Sequence, residues 1–304
     1  MNFKGVFSVL PTPFEGGGAV DLGSLRQVID LYISAGVDGV TALGVTSEVA
    51  RLLEQERDEI LDAVLAQVNG RVPVVAGSSA EGTRTCIEFS RRAQKAGAAA
   101  VMVSPPRMAK LNSEAVVNHY SALAAAVDCP IVVQDYPPIS GYAMEPALLA
   151  RIARQIPSAR TIKLEDPPTP YKTARILESA EGLPLSILGG LGGTYLLEEL
   201  ISGASGAMTG FAYPEMLVEV VRLFHSGKVE DAARAFYCYV PLMRFEFQES
   251  IGMALRKEIL RRRGVLSEAV IRPPGAKLDA ATLTALDRLL EWMRSDQGVK
   301  WISD

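Results

Sequence analysis

The chain has 304 residues, 48% hydrophobic and 22% charged, enough apolar material for a sizeable core, which excludes a disordered or fibrous protein. Its 31 basic and 35 acidic residues leave a formal charge of −4, so no basic footprint points to nucleic acid. No apolar run approaches the roughly 20 residues of a membrane span.

Three cysteines (Cys86, Cys129, Cys238) are odd in number and lack metal-ligand spacing. With only two histidines, they predict a reduced, cytoplasmic protein with no metal site. The opening MNFKGVFSVLPTPF has no charged n-region ahead of a long apolar h-region, so no secretory signal is expected.

From the N-terminus, the β-rich run GVFSVL (5–10) precedes an amphipathic segment, 21–35, that opens on Asp21 and closes on Gly36. GVTALGV (39–45) precedes 53–69, where Leu61, Val64, Leu65 and Val68 recur at helical spacing. VPVVAGS (72–78) leads to 83–96, AAVMVSP (99–105) to 113–127, and PIVVQDY (130–136) to 145–156. RTIKLE (160–165) leads to 170–180, LSILGG (185–190) to 194–202, and GAMTGF (206–211) to a helix starting near Pro214. The period of about 25–35 residues is that of a βα unit. The pattern predicts an α/β fold, a (β/α)8 TIM barrel over residues 1–225. Residues 214–304 read as helical throughout, so 226–304 are expected to form a helical appendage packed on the barrel. A doubly wound open sheet would want fewer strands and a nucleotide fingerprint.

One lysine stands apart. In Thr161-Ile162-Lys163-Leu164-Glu165, the apolar Ile162 and Leu164 face the outer helices, and period-2 alternation turns Thr161, Lys163 and Glu165 inward. The other eight lysines fall in helices, loops or chain ends. A lysine inside a barrel loses solvation, which disfavours its charged form and frees an amine to attack carbonyls. The competing reading is a plain ion pair between Lys163 and Glu165. The strand-end position, where barrel enzymes gather their catalytic groups, favours chemistry.

These residues resemble the dihydrodipicolinate synthase / N-acetylneuraminate lyase family of Schiff-base barrel lyases, which act on 2-oxo acids. The resemblance runs over about residues 3–225 and rests on PTPF (11–14), GVTSE (44–48), IKLED (162–166), the diglycine 189–190 and SGAMTG (205–210). It implies that Lys163 forms the imine and that Thr46, with Ser47 beside it, meets the carboxylate of a pyruvate-like substrate. It further implies that Gly190 and Met208 line the pocket behind the imine.

Departures from the family pattern shape the expected activity. The family's Y-N-x-P run is Gln134-Asp135-Tyr136-Pro137 here, so Gln134 occupies the tyrosine position. Tyr136 shares its strand parity and either points inward or serves as a core or rim aromatic. The synthase's P-Y-Y run is Pro105-Pro106-Arg107, and the arginine that holds a second carboxylate is Ile139. Relay and clamp are both missing, which argues against synthase chemistry. Glu165 is either a proton shuttle at C3 or C4 or the ion-pair partner of Lys163. Arg107 is either a sugar-acid carboxylate ligand or a solvated loop arginine.

The expected function is therefore that of a lyase without cofactor, acting on a small 2-oxo acid. It would dehydrate a 2-keto-3-deoxy sugar acid or cleave it by retro-aldol reaction to release pyruvate. The alternatives are synthase-like aldol condensation and a non-catalytic barrel that binds 2-oxo acids. No nucleic-acid or membrane partner is expected, and the family resemblance implies a homo-oligomer, tetramer or dimer.

Overall fold

The computed structural model describes residues 3–295 and 299–302; residues 1–2, 296–298 and 303–304, within the two expected ranges, lie outside the described residues. Eight parallel strands close into a barrel: β1 (Gly5–Val9), β2 (Gly39–Ala42), β3 (Val74–Gly77), β4 (Ala100–Val103), β5 (Ile131–Asp135), β6 (Thr161–Leu164), β7 (Ser186–Gly189) and β8 (Gly206–Thr209), with β8 returning to pair with β1. Alternation sorts the strand side chains into two layers. Val6, Val40, Val74, Val101, Ile162, Leu164, Ile187 and Ala207 pack outward in one cluster with the helices. Phe7, Val9, Val75, Met102, Val132, Leu188 and Met208 fill the barrel centre.

The outer helices are α1 (Leu22–Ser34), α2 (Glu54–Val68), α3 (Thr83–Ala96), α4 (Ser113–Ala124), a short α5 (Pro137–Ser140), α6 (Pro146–Gln155), α7 (Thr169–Ala180), α8 (Leu196–Ile201) and α9 (Pro214–His225). Local chemistry sets several of their ends. Asp21 accepts the Ser24 N–H at 2.9 Å to start α1, and Asn112 accepts that of Ala115 at 2.9 Å to start α4. Gly97, at φ 110°, ends α3 in the left-handed conformation that glycine adopts without strain.

Two expectations are corrected. The second strand stops at Ala42 rather than 45, and Val45–Ser47 and Val49–Arg51 coil as 3-10 turns. The Ser47 hydroxyl diverts the backbone there, accepting the Gly44 N–H at 3.1 Å and donating to the Leu10 carbonyl at 2.6 Å.

Residues beyond 214 are not helical throughout. Helices α10 (Val229–Glu246), α11 (Gly252–Arg262) and α12 (Ala280–Arg294) are interrupted by an irregular stretch holding Pro273-Pro274. Arg272 fastens that stretch to the barrel, donating to the Gly18 carbonyl at 2.9 Å and to Glu56 at 2.7 Å. The α10 helix packs on α9 and α8, and α11 and α12 pack on α10. No described helix is long and apolar enough to cross a membrane.

Candidate active site

Lys163 sits in the middle of its strand, opposite Gln134 on β5 and Leu188 on β7, and its side chain is 3% exposed. Its ammonium lies 3.1 Å from the Glu165 carboxylate, and the Gln134 side-chain amide donates to the same Glu165 oxygen at 2.7 Å. The three thus form one array at the C-terminal mouth of the barrel. Gly190 makes room for it: a Cβ there would lie 2.2 Å from Glu165 Cγ. Gly190 therefore admits the Glu165 side chain to the site.

A cavity of about 50 Å³ opens on this array and is lined by Thr46, Tyr136, Lys163, Glu165 and Arg256, among others. The parity reading of Tyr136 as inward-pointing therefore matches the geometry. Burial, and secondarily the Glu165 charge, push the Tyr136 phenol up, which keeps it a proton donor. A larger chamber of about 320 Å³ shares Val45 with the first and is lined by Ser79, Glu81, Ser104, Arg107 and Gln134, among others. Small-molecule sites run to about 300–1,000 Å³, so the pair can take a substrate with a polar tail. Gln134 joins the two spaces, lining the larger while it bonds Glu165 in the smaller.

Thr46 Oγ1 is buried without a hydrogen-bond partner and so is available to an incoming acceptor. Ser47 is not. Its hydroxyl is committed to Leu10 and Gly44, its carbonyl accepts from Thr12 at 2.6 Å, and it lines neither cavity. Ser47 shapes the loop that presents Thr46. Met208 is fully buried in the central apolar layer and lines neither cavity. Arg107 is exposed at the rim of the larger chamber.

Lys163 is not the only buried lysine. Lys172 lies 2.6 Å from both Asp135 and Asp166, and burial raises the Asp135 carboxyl to about 6. Lys257 on α11 is paired with Glu48 and the Val270 carbonyl; burial lowers its amine to about 8. Neither faces the two cavities. Arg263, just after α11, is paired with Glu215 and stacks over the Tyr213 ring, 4.4 Å from its centroid.

The model of the dihydrodipicolinate synthetase family matches residues 2–293, nearly the whole chain. The chain belongs to that family. Among its relatives is an L-2-keto-3-deoxyarabonate dehydratase of Azospirillum brasilense, 33% identical over 95% of this chain and 94% of the relative. A crystal structure of dihydrodipicolinate synthase from Rhodopseudomonas palustris superposes with a TM-score of 0.89 at 34% identity, over 95% of this chain and 97% of the other. YagE from E. coli K12, a prophage protein of the dihydrodipicolinic acid synthase family crystallised in complex with pyruvate, gives 0.90 at 25% identity, over 96% and 99%. Membership makes this protein a Schiff-base lyase, as the IKLED and SGAMTG segments implied.

For this dihydrodipicolinate synthetase family member, the contributors to the Lys163 cavity missed from sequence include two from the C-terminal helical region. Phe247, just after α10, and Arg256 in α11 both reach it from outside the barrel. They fall in the region read only as helical, and nothing in their local sequence marks them for the mouth of a barrel.

Proposed function

We propose that the protein dehydrates a 2-keto-3-deoxy sugar acid through an imine on Lys163. The Lys163–Glu165–Gln134 array carries this reading, because a carboxylate sits 3.1 Å from the Lys163 nitrogen and is held there by Gln134, which stands at the synthase tyrosine position. The dehydratase relative supports the same branch.

After passing a proton to Glu165, the Lys163 amine adds to the C2 ketone; Glu165 returns that proton to the carbinolamine hydroxyl, which leaves as water and yields a protonated imine. That imine is an electron sink. Glu165 takes a C3 proton to give the enamine. Electrons returning from the enamine form the C3–C4 double bond and expel the C4 hydroxyl, which leaves as water with the proton from Glu165 or the Tyr136 phenol. Water then adds to C2 of the conjugated imine and frees Lys163 as the product ketone leaves, so that net one water is lost and no redox partner is needed. Thr46 receives the C1 carboxylate, and Gln134 and Arg107 face the polyol tail in the larger chamber. The same reading makes the enzyme a cytoplasmic homo-oligomer, a tetramer or a dimer; exposed Tyr171, Ile201 and Trp292 offer apolar surface to a second copy.

Borohydride trapping with pyruvate, followed by peptide mapping, tests the imine: a reduced adduct on Lys163 is expected. Product analysis by NMR on 2-keto-3-deoxy pentonates and hexonates tests the branch. Retention of every substrate carbon with loss of water supports dehydration. Release of pyruvate and a short aldehyde would assign retro-aldol cleavage instead.

A further inference from the structure

Arg256 belongs to none of the motifs that mark the family, yet it is the cation left available in the Lys163 cavity. Two positive groups line that cavity, Lys163 and Arg256. Lys163 is claimed by Glu165. Arg256 is held from behind: its Nε donates to Glu246 Oε1 at 2.5 Å, and Glu246 Oε2 accepts the Ala212 N–H at 3.1 Å. That leaves Arg256 Nη1 buried with no hydrogen-bond partner, on a side chain 4% exposed. Its outlet is Gly210, at the end of β8, where a Cβ would lie 2.1 Å from Nη1. Only a residue without a side chain lets the guanidinium approach the barrel mouth there.

A second unpartnered group, Thr46 Oγ1, lines the same cavity from the loop after β2. Since β8 pairs with β1 and β1 with β2, the two donors approach the barrel mouth from either side of β1, with Lys163 also on the cavity wall. A hydroxyl and a guanidinium N–H, both desolvated and both unpaired, match the two oxygens of a carboxylate.

We propose that Arg256 is a substrate-binding residue which, with Thr46, holds the C1 carboxylate of the 2-oxo acid bound at Lys163. The inference rests on the Schiff-base reading and adds to it a determinant of selectivity: ketones bearing a carboxylate next to the carbonyl are retained, and those without one are not. Glu246 is a positioning residue that fixes the guanidinium while leaving one face for the substrate.

The test compares Arg256→Met with the unaltered enzyme in borohydride trapping at Lys163, using pyruvate and, in parallel, hydroxyacetone, which carries a ketone but no carboxylate. The pyruvate concentration for half-maximal trapping should rise roughly tenfold or more, the loss expected for a charged hydrogen bond. Trapping of hydroxyacetone should be unchanged, and Arg256→Lys should recover part of the pyruvate response. Equal impairment with both ketones, or no change with pyruvate, would overturn the proposal. Because removing one member of a buried pair endangers folding, the double variant Arg256→Met, Glu246→Gln is measured alongside and should show the same selective loss. Pyruvate binding without borohydride, followed by titration calorimetry, separates the two failures. Absence of any adduct in the unaltered enzyme would count against the imine, while an unchanged pyruvate affinity in Arg256→Met would count against Arg256.

Discussion

Glu165 occupies space that only a glycine at position 190 leaves open: a Cβ there would meet Glu165 Cγ at 2.2 Å and its carboxyl carbon at 2.7 Å. Gly190 is therefore what admits the Glu165 side chain beside Lys163, although it carries no functional group itself. Gly190→Ala should displace the Glu165 carboxylate from Lys163 while leaving the lysine in its strand. We expect dehydration to fall by about 10–100-fold, in line with the sensitivity of catalysis to small misplacements. Overpacking should cost about 1–3 kcal/mol of stability. Pyruvate trapping at Lys163 should persist. Single-turnover kinetics beside borohydride trapping measures both.

Glu165→Gln separates imine formation from the later proton transfers. The amide is nearly isosteric, so it fits beside Gly190, but it cannot accept the C3 proton. The dehydration rate constant should drop by about 10²–10⁴, the usual contribution of a positioned acid–base group. An adduct with pyruvate, which has no C4 hydroxyl to lose, should still form, slowed less than dehydration because solvent can take the Lys163 proton in place of Glu165. If Glu165 were only an ion-pair partner for Lys163, trapping and turnover would fall together, and the ratio of the two rates decides.

The loop that presents Thr46 is braced by a buried ion pair. Glu48 sits at φ 57° between two 3-10 turns, and its carboxylate takes Lys257 on one oxygen and Arg51, at 2.7 Å, on the other. Glu48→Gln or Lys257→Met leaves one charge buried without its counterpart, which typically costs about 3–5 kcal/mol. Both single variants should melt earlier and bind pyruvate more weakly. The double variant Glu48→Leu, Lys257→Met should regain much of the stability, because burying two apolar groups avoids the desolvation of either charge. Thermal denaturation of all three, with pyruvate titrations, reads the coupling.

Much of this organisation was legible from residue pattern. Period-2 alternation put Lys163 and Glu165 on one face and Ile162 and Leu164 on the other, and the two packing layers follow that division. Alternation also linked Gln134 with Tyr136, and both reach the site. What escaped was whatever depends on contact between distant segments. Arg256 and Phe247 look like ordinary positions in amphipathic helices until α10 and α11 are folded over the barrel. Ser47 looks like a ligand beside Thr46 until its hydroxyl is seen bonded to Leu10. Period and composition describe a residue's own element, whereas these roles are set by the element it meets.

A pH effect on stability should arise behind the diglycine 189–190. Glu199, on α8, is buried against Gly189, where a Cβ would lie 1.7 Å from its Oε2; the Thr169 hydroxyl donates to the other oxygen at 2.5 Å. Burial first, with the charges of Glu198 and Glu165 adding to it, raises this carboxyl from 4.5 to about 8. In the folded protein it therefore holds a proton over a range in which the unfolded chain has released it. Because the native state binds the extra proton there, stability is fully present below about 4.5 and is lost as pH rises through about 8. Glu199→Gln mimics the protonated form and keeps the Thr169 contact. It should flatten the decline in denaturation midpoint between pH 5 and 8 and raise stability most at the alkaline end. Chemical denaturation at a series of pH values compares the two slopes, and parallel curves for Glu199→Gln and the unaltered protein would show that Glu199 ionises normally in the fold.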